Sequence, residues 1–174
     1  MSKKSVLMII LLACVLSCTF AAGKSSFYVK IAPFATQSVQ YGKGYTSTYG
    51  YGGILGSRFN VGKDFVLGTD IKYSSFKYSE LDSDYKVVSF IPRIGFSIPI
   101  SALTTVNINV GPAIQLRVIG QDKAFNLGAD VYVGLAFSIY KKNALVIGLD
   151  ADLGIQKDSF DISVEPMVGI AFVI

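Results

Sequence analysis

Asp150 and Asp152 stand two apart in GLDADLG, residues 148–154, and residues i and i+2 share one face of an extended strand. Two carboxylates so placed are the raw material of a general acid–base pair. Asp70 and Lys72 repeat the spacing with opposite charges in LGTDIKYS, residues 67–74. The same kind of row carries Lys30, Arg58, Arg93 and Arg117, together with Asp130 and Glu165, giving five cations and five carboxylates in all. Such a balanced row suits mutual ion pairing better than catalysis, because buried charges demand partners. No histidine occurs, and histidine is the commonest general base and a frequent metal ligand. A phosphate-binding glycine loop, a nucleophile elbow and zinc-ligand spacing are also missing from the sequence. The expectation is a lumen charge network and no enzyme, with no catalytic residue, no cofactor and no metal.

These charges lie on one of two alternating rows. In TVNINVGPAIQLRVI, residues 105–119, Val106, Ile108, Val110, Ile114 and Leu116 alternate with Asn107, Asn109, Gln115 and Arg117. Period-two alternation marks β-strands. It recurs in eight segments: about 26–34, 50–61, 65–77, 86–98, 105–119, 126–140, 144–155 and 161–174. Short links at Gly62-Lys63-Asp64, 99–104 and Lys141-Lys142-Asn143 alternate with a long Gly/Tyr/Thr/Ser loop at about 36–49. Shorter polar loops are expected near 79–85, 120–125 and 156–160. The long loop holds Tyr41, Tyr45 and Tyr49, a composition suited to surface binding. The fold predicted is an all-β, eight-stranded, antiparallel up-and-down barrel that crosses a membrane.

Composition agrees with that reading. The chain of 174 residues is 51% hydrophobic and only 16% charged, with a mean hydropathy of +0.49. Lys3 and Lys4 precede an apolar run from Val6 to Leu16 and a small, polar stretch from Ser17 to Gly23. That is the layout of a secretory signal peptide over residues 1–23, with the barrel domain at 24–174. Both cysteines, Cys14 and Cys18, fall in this leader, so disulfides are not expected. Val15-Leu16-Ser17-Cys18 also resembles a lipobox, in which Cys18 would become a lipidated N-terminus. Loss of Lys3 and Lys4 takes the formal charge from +4 to +2, and no basic block remains to imply nucleic acid.

A soluble barrel with an apolar lumen would alternate too. Here the apolar row is nearly pure and uncharged, so it is assigned to the lipid side and the mixed row to a narrow lumen filled by side chains. Glycines in the mixed row, among them Gly56, Gly134, Gly148 and Gly154, leave room for long charged neighbours. Asp70 is expected opposite Arg93, and Arg117 opposite or diagonal to Asp130. Phe27, Phe59, Phe65, Phe96, Phe137 and Phe172 should form a lipid-interface ring at the short-turn end, with Tyr51 and Tyr73 at the other rim. Pro92, Pro112 and Pro166 fall mid-strand and should each interrupt the ladder at a bulge.

With its leader and eight strands the chain resembles small outer-membrane β-barrels of the OmpA, OmpX and OmpW type. GYGGILGSRF (50–59), FIPRIGFSIPI (90–100) and VNINVGPAIQL (106–116) carry the resemblance. The chain departs from the family in ending Phe172-Val173-Ile174, without a terminal aromatic. The resemblance implies a bacterial outer-membrane location, outer-membrane lipid and the barrel-assembly machinery as partners, and a monomer. Three functions follow from it: a structural or surface-binding barrel meeting a host ligand, a narrow porin-like or OmpW-like channel for small solutes, and a barrel hydrolase. The last is disfavoured because the family's enzymes generally rely on histidine.

Overall fold

The computed structural model describes residues 25–41, 44–77, 84–140, 142–155 and 159–173, with the side chains of 39–46 and 159 excluded. The signal peptide, Cys14 and Cys18 therefore lie outside the described residues. Eight antiparallel strands follow in chain order: β1 (Ser25–Tyr41), β2 (Gly44–Asn60), β3 (Phe65–Lys77), β4 (Asp84–Pro99), β5 (Thr104–Ile119), β6 (Asp122–Tyr140), β7 (Asn143–Ile155) and β8 (Ser159–Val173). Each pairs with its chain neighbour, and β8 returns to β1 to close the barrel. The seam includes Phe27 opposite Phe172 and Lys30 opposite Gly169. Closure satisfies the backbone of every strand without leaving an open edge, which is a requirement inside a hydrocarbon layer.

The alternation sorts the two rows as expected. Along β5, Asn107, Asn109, Ala113, Gln115 and Arg117 are buried, while Ile108, Val110 and Ile114 are exposed on the outer wall. All eight strands present such apolar residues outward, among them Val29, Leu55, Leu67, Ile94, Val133, Leu149 and Ile170. An apolar band of this extent is foreign to a water-soluble surface. It fits an inside-out barrel, apolar toward lipid and polar within.

The links depart from expectation. Residues 36–41 and 44–49 are strand, not loop: β1 and β2 pair continuously there up to Tyr41 and Gly44, and Ser38 and Ser47 share a hydroxyl hydrogen bond of 2.9 Å. Thr and Tyr sit well in strands, so the polar stretch extends the hairpin. Tyr41 and Tyr45 fall in these strands, with side chains outside the described residues; Tyr49 is 76% exposed. β6 begins at Asp122, so the loop expected at 120–125 shrinks to a tight turn around Gly120, whose φ of 56° suits glycine. Gly62, at φ 126°, does the same at the other end. The loops expected near 79–85 and 156–160 lie largely outside the described residues. The strands run from 13 to 19 residues, beyond the roughly ten that cross a bilayer.

The prolines concentrate at two seams. Pro33 and Pro166 lie where the β1–β8 register shifts by one, between Ile31 and Thr36. The missing N–H of Pro33 is thereby absorbed at a bulge, with Pro33 and Phe34 both turned outward. Pro92 and Pro112 fall together in a gap of the β4–β5 ladder, between the pairs Phe90–Ile114 and Ile94–Val110. The register is unbroken there, so these two do not sit at a bulge. Two residues without donors face one another and share a single interruption.

Candidate functional site

The closed sheet brings every inward charge into one lumen. β3 contributes Asp70 and Lys72, β4 Arg93, β6 Asp130, β7 Asp150 and Asp152, and β8 Asp161 and Glu165, all of them buried. Lys72 Nζ lies 2.5 Å from Asp152, 2.6 Å from Asp150, 3.0 Å from Glu165 and 3.9 Å from Asp130. Arg93 reaches Asp70 through Nε at 2.5 Å and Asp150 through Nη2 at 2.8 Å, and its Nη1 meets Asp130. Ser74 Oγ donates to Glu165 at 2.7 Å, and the Tyr28 hydroxyl donates to Asp70. Charge-assisted contacts of this kind are the strong ones, and burial makes partners obligatory.

The expected partners are partly corrected. Asp70 does not face Arg93: Asp70 pairs with Ile91 and Arg93 with Gly68. The long guanidinium spans that diagonal. Arg117 does not approach Asp130. The tight β5–β6 turn sets Arg117 against Ala124 and Asp130 against Gly111, six residues down the strand from Arg117. Arg117 instead binds Asp161 through Nη2 at 2.6 Å and Gln115 at 2.7 Å. Gln37 donates to the other Asp161 oxygen at 3.0 Å. Asp161 was not singled out in the sequence because it borders an expected loop. Its parity with Ser163 and Glu165 is the signal that places it inside.

Lys30 and Arg58 are held differently. Lys30 Nζ lies 3.6 Å from the ring centre of Tyr132 and 4.6 Å from that of Tyr28. The Arg58 guanidinium lies 4.7 Å from Tyr28 and 5.3 Å from Tyr132. Two inward tyrosines thus form aromatic platforms for two cations. Neither tyrosine stands out by sequence, since aromatics are common in strands. A Cβ at Gly56 would strike Asp70 and Tyr28, at Gly134 or Gly148 the Tyr132 hydroxyl, and at Gly154 the Arg117 guanidinium. These glycines make the space that the charged side chains fill.

Asp130, Asp150 and Asp152 bring one carboxylate oxygen each within 4.8 Å of one another, a metal-like grouping. Lys72 Nζ, with Arg93 beside it, already supplies the cation on which they converge. Asp70, Asp130, Asp150, Asp152 and Glu165 each lie within ion-pair distance of Lys72 or Arg93. On the outer wall the six phenylalanines expected in the ring lie toward the short-turn end: Phe65 packs edge-on to Phe96 at 5.9 Å, Phe27 faces Phe172, and Phe59 and Phe137 lie near the ends of β2 and β6. Tyr51 and Tyr73 are exposed farther along β2 and β3.

A closed, eight-stranded antiparallel barrel with an apolar wall and an ionic lumen has the fold of the small outer-membrane β-barrels. No family model and no curated protein matches the chain. Among solved structures it is similar to the Neisserial surface protein A, with a TM-score of 0.62 and 15% identity over 84% of this chain and 96% of that one. It is also similar to Ail, the attachment invasion locus protein of Yersinia pestis, with a TM-score of 0.56 and 18% identity over 87% of this chain and 99% of that one. OprG of Pseudomonas aeruginosa matches with a TM-score of 0.50 and 10% identity over 87% of this chain and 97% of that one.

Proposed function

We propose that the protein is an exported bacterial outer-membrane barrel, monomeric and non-enzymatic, whose lumen is plugged by its own ion pairs. Its task is then structural or surface-binding. The observation that carries this reading is the packed centre of the lumen: Asp70, Lys72, Arg93, Asp150 and Glu165 are each at most 2% exposed. A hydrated path for solutes would have to break contacts that three cations make with five carboxylates and Asp161. The strands extend beyond the bilayer-spanning length at the end away from the short turns. There they display Tyr49 and Phe125, 76% and 70% exposed, as contact residues for an external partner. The likeness to Ail, named for attachment and invasion, agrees with such a role. Lipid contacts along the phenylalanine ring and insertion by the barrel-assembly machinery belong to the same reading.

Planar-bilayer recording tests it. The purified barrel, reconstituted at densities that give single insertions, is expected to leave the membrane electrically silent. Discrete, reproducible openings would overturn the plug and favour a narrow channel for small solutes.

A further inference from the structure

At the short-turn end the lumen opens into a vestibule of about 200 Å³, roughly the room of six or seven water molecules. Its lining is polar in an uneven way. Lys30 and Arg58 face it together with Ser26, Asn60, Asn107 and Ser138, and among the described residues no carboxylate side chain lines it. Lys30 is 1% exposed and Arg58 8%, and Lys30 Nζ, Arg58 Nε and Arg58 Nη2 make no hydrogen bond. Among the described residues neither cation forms an ion pair. The lumen's carboxylates are bound to Lys72, Arg93 and Arg117. The faces of Tyr28 and Tyr132 hold the two cations in place but supply no acceptor for their N–H groups.

Two buried basic groups with unmet donors, beside a cavity lined by hydroxyls and amides, make a favourable setting for an acceptor of opposite charge. We propose that the vestibule is a binding site for a small oxyanion, a phosphate or carboxylate group held by Lys30 and Arg58. Ser26, Asn60, Asn107 and Ser138 supply further donors around it. The ammonium gives a point charge and the guanidinium directed N–H groups, which together suit a two- or three-oxygen anion. Asp70 does not compete for them, because Arg93 and the Tyr28 hydroxyl already hold its two oxygens.

The test is calorimetric titration of the full folded barrel in zwitterionic nanodiscs with inorganic phosphate and, separately, acetate. Saturable one-to-one binding of either anion is expected; preference for phosphate or for acetate identifies which group the site takes. Lys30→Met and Arg58→Met should each weaken binding at least tenfold and together abolish it. Lys63→Met, an exposed turn residue at the same end, should leave it unchanged. Ala171→Glu, on the vestibule wall, supplies a tethered carboxylate and should abolish anion binding while raising the thermal unfolding midpoint. Absence of saturable binding by the wild-type barrel would overturn the site. So would equal binding by the doubly substituted barrel, or loss of binding in Lys63→Met.

Discussion

Lys72 stands among four carboxylates on three strands, and its removal should be strongly destabilising. Lys72→Met keeps much of the side-chain volume but leaves Asp152 and Glu165 without a cation. Breaking a buried pair from one side costs about 3–5 kcal/mol, and denaturant unfolding in lipid vesicles should show a loss of that size. Asp150 and Asp130 keep Arg93, so the barrel should still fold. Gly154→Val introduces the opposite fault, since its side chain must displace the Arg117 guanidinium from Asp161. Overpacking of this kind costs about 1–3 kcal/mol, and the same unfolding assay checks it.

Each strand carries two unlike rows, and exchange between them is the sensitive test at this scale. Val110 lies on the outer row of β5 and is exposed, between the buried Asn109 and the inward Gly111. Val110→Arg should cost about 2–4 kcal/mol if its charge meets the bilayer midplane; an equilibrium folding measurement into vesicles gives the value. Strand existence and facing were legible because period two needs only the residue types along one segment. Register was less legible, because it depends on where a hairpin closes. Reading 120–125 as a loop displaced β6 against β5 and produced the mistaken Arg117–Asp130 pair. Reading 36–49 as a loop hid the long β1–β2 hairpin, since Ser, Thr and Gly suit loops and exposed strands alike. The tyrosine platforms were illegible for a related reason: the inward row of β1 meets that of β6 only across the lumen, a contact no single strand encodes.

For the whole molecule, closure turns eight marginal ribbons into one body whose polar groups face inward. Its outer wall cannot be wetted without exposing an apolar band around the full circumference. The chain spanning residues 24–174 should therefore stay folded and monodisperse in detergent or lipid, and aggregate on dilution into plain buffer, as light scattering would show. The inside-out arrangement itself is tested most directly by nitroxide scanning of β5 in bilayers, which is convenient because both cysteines precede residue 24. Labels at positions 106, 108, 110 and 114 should collide freely with oxygen and rarely with a water-soluble nickel chelate. Labels at 107, 109, 113 and 115 should be shielded from both. A reversed alternation, with the chelate reaching the even positions, would contradict the account.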